Sequence, residues 1–233
     1  MEQIYRIAGL TVAMDTFGRT LEQAKPYLAE DSAQVDFCVK SAWEYRKHLV
    51  PNVSDDLGEY LYSGYDFYKK LLQHDGLMLH SSAVVVDDKA YLFTADSGTG
   101  KSTHTGLWLK KFGDRAYILN DDKPAIRRER DGWYAYGTPW SGKHDISRNH
   151  RVKLAGIAAV NRGEENSIHP FGGLEAIHAI MKPVNRPSGM EFRASLMELL
   201  DRLLTEVPVW KLYCNMDPQA AEVSYHAMSG KDL

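Results

Sequence analysis

The sequence predicts an α/β protein with a phosphate-binding loop (P-loop), an antiparallel-rich mixed β-sheet and flanking helices. An apolar, β-prone run at residues 90–94 leads into the octapeptide ADSGTGKS at residues 95–102, and a helix-like stretch follows at residues 103–112. Turn signals such as Asp131-Gly132 separate short apolar runs, as they do in β-hairpins. Longer amphipathic runs supply helices that would cover the sheet.

Residues 1–75 are expected to form an α+β appendage that guides the acceptor of the reaction. Its predicted elements are one or two strands over residues 4–14, a helix over 20–29, a segment over 37–49 that fits a strand or a helix, and a helix over 57–73. Apolar and polar residues alternate in the first of these, and Gly9 is its expected bend. Pro26 limits the length of the first helix. In the last segment the apolar residues recur at a helical period.

Residues 76–233 are expected to form the catalytic domain, in which strands dominate. Strands are predicted over residues 77–86, 90–94, 115–119, 125–129, 133–136, 152–160 and 209–214, and helices over 103–112, 174–181, 191–207 and 218–228. Asp87-Asp88 is a turn pair, so the first two strands are expected to form a hairpin.

Composition excludes several classes of function. The chain of 233 residues is 44% hydrophobic, which is enough to bury a substantial core, and its net charge of −3 gives no electrostatic reason to expect nucleic acid or an anionic membrane as partner. No window approaches the roughly 20 apolar residues of a membrane span. The N-terminus has no cleavable signal pattern. Cys38 and Cys214 have no metal-type spacing, and no zinc site is expected. We therefore expect a cytoplasmic protein.

The glycine loop is the strongest signal in the chain. Gly98 and Gly100 would let backbone N–H groups turn inward around phosphate oxygens, and the helix start adds partial positive charge. Lys101 would reach the β- and γ-phosphates of ATP, and the Ser102 hydroxyl would ligate Mg²⁺. The predicted nucleotide-binding residues are Ser97, Gly98, Thr99, Gly100, Lys101, Ser102 and Thr103. Ala95 stands where the usual pattern has its first glycine.

Asn120-Asp121-Asp122 is the second signal, at the end of the strand that follows the loop helix. Mg²⁺ requires oxygen ligands opposite the loop hydroxyl, and an adjacent carboxylate would accept a proton from an attacking hydroxyl. The other interpretation is a plain turn, because Asn and Asp are both turn residues.

Two further side chains are candidates for the same site. His80 lies at the head of the strand predicted to pair with the loop strand, and a neutral histidine there would orient a carboxylate; the alternative is a hydrogen-bonded core histidine. Lys143 ends a segment, residues 137–143, that would close over the site and give the transferring phosphoryl group positive charge. The alternative is a glycine-proline loop in which Trp140 packs.

The run LHSSAVVVDDKAYLFTADSGTGKSTHTGLW, followed by ILNDDKPAI, resembles the catalytic domain of HPr kinase/phosphorylase. More distantly it is similar to ATP-dependent phosphoenolpyruvate carboxykinase. The resemblance covers residues 76–160 and implies the P-loop fold of this type. It also implies that Lys101 and Ser102 bind phosphate and Mg²⁺, that Asp121 is the general base, that Asp122 contacts the metal, and that His80 assists Asp121.

Two departures from the family narrow the expected function. Thr103 replaces the glutamate that usually follows the loop, and residues 136–143 replace the basic signature used for phosphorolysis. The chain looks more like short HPr-kinase-like proteins found beside peptide-modification genes. The predicted function is transfer of the γ-phosphoryl of ATP to a serine-type hydroxyl of a peptide, protein or small molecule. A carboxykinase-like lyase and a non-catalytic nucleotide sensor or partner-binding module are the alternatives, and the resemblance is compatible with a homo-oligomer.

Overall fold

A computed structural model describes residues 2–29, 34–96 and 98–231 of the chain. Its strands are β1 (Gln3–Ile7), β2 (Leu10–Met14), β3 (Phe37–Val39), β4 (Gly76–Met78), β5 (Ser82–Val86), β6 (Lys89–Thr94), β7 (Ala116–Asn120), β8 (Ala125–Glu129), β9 (Gly132–Tyr136), β10 (Arg151–Arg162), β11 (Ser167–Pro170) and β12 (Val209–Cys214). Its α-helices are α1 (Gly18–Ala24), α2 (Trp43–Arg46), α3 (Asp55–Leu71), α4 (Lys101–Phe112), α5 (Gly173–Met181), α6 (Met190–Glu206) and α7 (Gln219–Ser229).

The N-terminal strands form a small sheet of their own. β1 and β2 are antiparallel, and β3 adds to β2 in parallel. The bend between β1 and β2 is formed by Ala8 and Gly9, both at positive φ. α1 ends at Ala24, one residue before a 3₁₀ turn that contains Pro26. Residues 37–49, which fit a strand or a helix, contain both: β3 and then the short helix α2.

The larger sheet is mixed, and its order is β4-β8-β9-β10-β6-β5-β7. β10 is parallel to β6 and to β12, whereas the other pairs are antiparallel, including the predicted hairpins β5-β6 and β8-β9. Because β6 occupies one side of β10, β9 and β12 share its other side, at its beginning and its end. The predicted mixed, antiparallel-rich sheet with flanking helices is confirmed.

The strand predicted over residues 77–86 is wrong in one respect, because it is divided into two strands. β4 pairs with β8, whereas β5 lies between β6 and β7. Between them the chain forms other contacts: the N–H of His80 donates to Pro183 O at 2.9 Å, and the N–H of Ser81 donates to Asp122 O at 3.2 Å. β11, which pairs with β12, was not predicted from the sequence. It is short, and it ends in a proline.

Helices cover both faces of the sheet. Alternate residues of β5 point to opposite faces: Val84 packs in one apolar cluster with Trp108 of α4, and Val85 packs in another with Leu199 of α6. A strand that is buried on both faces reads as a continuous apolar run rather than an alternating one, as β5 does. None of the helices in the described ranges is long and apolar enough to cross a membrane.

A third apolar cluster joins the N-terminal segment to the larger sheet. Its centre is Trp140, which is fully buried, stacks on Phe67 of α3 at 4.8 Å between ring centroids, and donates from Nε1 to Ser63 Oγ at 3.2 Å. Tyr134 and Tyr136 of β9 belong to the same cluster. Trp140 therefore anchors the segment of residues 137–143 against α3.

His104 is expected to make stability fall in mild acid. Its ring is buried against Phe93 and bonded to Ser224 Oγ at 3.1 Å, and burial lowers its pKa to about 4. Below its ordinary pKa of 6.5 the unfolded chain binds a proton that the folded chain does not, so folding loses up to about 3 kcal/mol between pH 6.5 and 4. Urea unfolding of the wild type and His104→Asn across this range measures the difference.

The exposed His169 provides the matched control, since His169→Asn should follow the wild-type pH profile. A wild-type profile that runs parallel to that of His104→Asn between pH 6.5 and 4 would refute this account.

Candidate active site

The glycine loop connects β6 to α4, as the sequence predicts. Gly98 and Gly100 have φ values of +76° and +121°, which L side chains rarely adopt. Among the described residues, and apart from its chain neighbours, no atom lies within 4 Å of the position that a Cβ would occupy at either glycine. Helix α4 begins at Lys101, and the first N–H groups of a helix have no partner within it. These are the features of an anion site. Ser97, predicted to bind nucleotide, lies outside the described residues.

The acidic turn after β7 is organised by the fully buried side chain of Asn120. Its Oδ1 accepts hydrogen bonds from the backbone N–H groups of Asp122 at 3.0 Å and Lys123 at 2.8 Å. Its Nδ2 donates to Thr138 O at 3.1 Å and to Ser147 Oγ at 3.3 Å. An asparagine that bonds the backbone two and three residues later closes a turn. The turn is therefore present, and both aspartates stand on it.

Asp122 is held between two nitrogen-bearing side chains. His80 Nε2 lies 2.9 Å from its Oδ1, and Lys123 Nζ lies 2.7 Å from its Oδ2. Burial opposes ionisation of this carboxyl, but the His80 hydrogen bond and the Lys123 charge outweigh burial and hold its pKa well below the usual range. Asp122 is consequently a carboxylate at neutral pH.

The same nitrogen of His80 also approaches the loop lysine. His80 Nε2 lies 3.2 Å from Lys101 Nζ. A ring nitrogen either donates or accepts, so Nε2 bonds Asp122 when it carries a proton and Lys101 when it does not. Burial lowers the pKa of Lys101, and the charges of Asp122 and Asp121 oppose part of that shift. With its side chain 45% exposed, His80 is not a core histidine.

The resemblance implies that His80 assists Asp121, and in the structure His80 contacts Asp122. The hydrogen bond from the Ser81 N–H to Asp122 O brings residues 80 and 122 side by side. Asp121 instead accepts a hydrogen bond from Ser82 Oγ at 2.6 Å, through Oδ1. Ser82 is fully buried, so this bond holds the Asp121 carboxylate in one orientation.

These groups share one cavity of about 630 Å³. The predicted residues that line it are His80, Gly98, Gly100, Lys101, Ser102, Thr103, Asp121, Asp122 and Lys143. Thr99 lies outside it and lines the two neighbouring cavities. Ser141 and Gly142 belong to the segment of residues 137–143 that is predicted to close over the site, and both line the cavity. The lining residues that sequence reasoning missed are Arg19, Leu57, Tyr60, Asp96 and His144. Arg19, Leu57 and Tyr60 come from a distant part of the chain, so no local motif could have revealed them, whereas Asp96 and His144 adjoin predicted site residues in sequence.

The segment that carries Lys143 is attached to the N-terminal helices through the backbone of Gly142. The Gly142 N–H donates to Tyr60 Oη at 3.0 Å, and its carbonyl accepts from the Arg19 guanidinium and from Gln23 Nε2. Lys143 itself is exposed and forms no ion pair within the described residues. The segment thus combines the features of both interpretations given above. Trp140 packs in the core, as in a glycine-proline packing loop, and Lys143 lines the cavity, as in a segment that closes over the site.

The donor set fits a magnesium ion that is bound together with phosphates. Mg²⁺ usually keeps several waters and takes one or two carboxylates plus substrate oxygens, rather than an all-protein cage. The Ser102 hydroxyl and the Asp122 carboxylate line the same cavity. In the described part of the chain, no group of three or more His, Cys, Asp or Glu side chains is arranged to hold a metal alone.

A second cavity, of about 480 Å³, adjoins the loop on the side of Thr103. Arg162, at the end of β10, donates from Nη2 to Gly98 O at 2.6 Å and so supports the loop from this side. Asn215 and Met216 complete the wall. The loop thus adjoins three cavities, and the one of about 630 Å³ is the one that contains Asp121 and Asp122.

Asn120→Ala should lower the free energy of unfolding by about 3 kcal/mol, because it removes a fully buried side chain and leaves the backbone N–H groups of Asp122 and Lys123 without their acceptor. Chemical denaturation measures the change. Asn149→Ala is the control, since Asn149 is exposed and makes one side-chain hydrogen bond, to Pro26 O; it should cost less than about 0.5 kcal/mol. Equal effects of the two variants would show that Asn120 does not organise the turn.

Gly142→Ala should disturb Asp122 as well as the backbone. The residue has φ +78°, and an added Cβ would lie 2.8 Å from Asp122 Cβ. Gly230 provides a matched control, because it has φ +66° and open space around its Cβ position. Both alanine variants should lose about 1 kcal/mol to backbone strain, and Gly142→Ala should lose about 1 kcal/mol more. Denaturation curves that coincide would rule out the clash.

Comparison with known proteins gives a distant structural likeness. No protein-family model matches the sequence, and no curated protein matches it. Among solved structures, the Hpr(Ser) kinase/phosphatase from Coxiella burnetii is similar over 66% of this chain and 97% of that chain, at 12% sequence identity and a TM-score of 0.38.

Proposed function

We propose that the protein is a phosphotransferase that moves the γ-phosphoryl group of ATP to a hydroxyl group. The observation that supports this proposal is that one cavity contains the glycine loop, Lys101 and two carboxylates on a rigid turn. A phosphoryl-transfer site needs an anion cradle next to a proton acceptor, and most of its catalytic effect comes from positioning and charge.

The triphosphate would be bound by the loop N–H groups, by the start of α4 and by Lys101. Lys101 now shares His80 Nε2 with Asp122, and phosphate oxygens are stronger partners for an ammonium than an imidazole nitrogen is. When Lys101 turns to phosphate, His80 Nε2 is left to donate to Asp122. His80 is therefore assigned as a positioning residue for Asp122.

Asp121 is proposed as the general base. Its Oδ1 is fixed by Ser82, and the carboxylate faces the cavity. The acceptor oxygen forms a bond to the γ-phosphorus while the bond from that phosphorus to the β,γ-bridging oxygen breaks. ADP leaves with the electron pair of the broken bond, and the hydroxyl proton moves to the Asp121 carboxylate.

Ser102 and Asp122 would hold Mg²⁺, which when bound neutralises charge on the phosphate oxygens. Lys143 would contribute further positive charge at the cavity rim. The nucleoside would extend from Thr103 into the second cavity, beside Arg162 and Met216, because the aspartates occupy the first. The acceptor is a serine-type hydroxyl of a peptide, protein or small molecule.

Lys101→Ala should abolish turnover, and Asp121→Asn should reduce it at least about 100-fold while leaving ATP affinity within about threefold. The asparagine keeps an oxygen for Ser82, so the turn is preserved. The assay follows the label of γ-labelled ATP into inorganic phosphate or into a peptide and metabolite pool. Calorimetry measures ATP binding. Lys110→Ala and Asp88→Asn are controls, on the exposed side of α4 and in the β5-β6 turn.

The outcomes separate the three functions. A labelled, phosphorylated product supports the kinase, decarboxylation of an added oxo acid supports a lyase, and ATP binding without turnover supports a sensor. An Asp121→Asn enzyme with a near-normal rate would remove Asp121 from the role of base.

A further inference from the structure

One wall of the candidate active site is built by the N-terminal segment, outside the region that resembles a known family. Arg19 of α1, with Leu57 and Tyr60 of α3, lines the cavity that holds the loop and the acid pair. The Arg19 guanidinium lies over the Tyr60 ring, 4.1 Å from its centroid, and this stacking fixes the plane of the charged group. Arg19 is thus held in place rather than spread into solvent.

The charge of Arg19 is not matched by a carboxylate. A guanidinium has five N–H donors. Within the described residues the Arg19 side chain donates to the carbonyl of Gly142. Asp56 receives a hydrogen bond from the Arg19 backbone N–H, not from the side chain. Within the described residues Arg19 forms no ion pair. Most of its donors are therefore available to an anion in the cavity.

A chain of contacts links this charge to the acid pair. Lys123 Nζ bonds Asp122 Oδ2 and lies 4.9 Å from the Tyr60 ring centroid, and Tyr60 in turn supports Arg19. The position of a Cβ on Gly142 lies beside Asp122, and the Gly142 carbonyl contacts Arg19. Two short paths of contacts thus link Arg19 to the acid pair. The hydroxyl that gives up its proton must lie near that pair.

We propose that Arg19 binds a carboxylate carried by the acceptor, and that the acceptor is a small hydroxy acid. This inference rests on the proposed phosphotransferase function and specifies its acceptor. A planar guanidinium binds a carboxylate through two parallel hydrogen bonds, which sets the orientation of the whole molecule. With the carboxylate on Arg19, the neighbouring hydroxyl is directed toward Asp121 and the γ-phosphate.

The size of the cavity supports a small acceptor. A space of about 630 Å³ must hold phosphates as well as the acceptor, and it lies within the range of small-molecule sites. Leu57, which is partly exposed in the same wall, offers an apolar contact for a short carbon chain. Arg19 is a specificity residue in this arrangement, because it touches the acceptor but not the transferred group.

The test uses two pairs of probes, and in each pair one member is an anion and the other is neutral. The pairs are N-acetyl-L-serine with N-acetyl-L-serinamide, and D-glycerate with glycerol. Calorimetry with a non-hydrolysable ATP analogue and Mg²⁺ measures binding, and γ-labelled ATP measures transfer. The wild type should favour the anionic member of at least one pair by about tenfold or more, the effect of roughly 1.4 kcal/mol. Arg19→Gln should remove this preference and leave affinity for the ATP analogue within about threefold, and Arg19→Lys should retain part of the preference.

Arg46→Gln is the matched control, because Arg46 also lies over a tyrosine ring of α3, 5.1 Å from the Tyr62 centroid, but does not line the cavity. It should behave as the wild type does. Equal binding of both members of each pair, binding of none of the four probes by a nucleotide-loaded wild type, or a preference that survives in Arg19→Gln would overturn the inference. A wild type that binds no ATP analogue would instead refute the proposed function.

Discussion

The hydrogen bonds of the Asn120 side chain are the constraint on which the cavity depends. They join the end of β7 to the segments that follow β9 and precede β10, and the side chain that makes them is fully buried. In such surroundings each bond is stronger than at the surface, and each lost partner is more costly. The carboxylates of Asp121 and Asp122 are oriented because the backbone beneath them cannot move independently.

The balance of charge in the cavity follows from this rigid turn. Asp122 stays ionised despite its burial because His80 and Lys123 are held against it, and Lys101 stays near the pair because α4 begins at the loop. Opposite charges that are already in place need little rearrangement when a ligand arrives, and such preorganisation is the main source of electrostatic catalysis. The segment between β4 and β5, which carries His80, is therefore as important as the loop itself.

Sequence reasoning predicted the structural features that depend on local sequence patterns. It missed the features that depend on contacts between residues far apart in the chain. The spacing of apolar residues, together with glycine and other turn residues, was sufficient to predict the loop, α3 and the β8-β9 hairpin. The break between β4 and β5 was hidden, since an apolar run gives no sign that residues 79–81 will find partners at Asp122 and Pro183. Arg19 and Tyr60 were missed for the same reason: more than 80 residues separate each of them from Gly142.

Burial of Trp140 against α3 has a consequence for how the chain can be divided. Tyr134 and Tyr136 of β9 and the indole of Trp140 are covered by residues from the first 75 positions. A fragment that began at residue 76 would present these rings to water, and an uncovered aromatic surface of that kind promotes self-association. Removal of the first 75 residues would thus yield a fragment that is prone to aggregate.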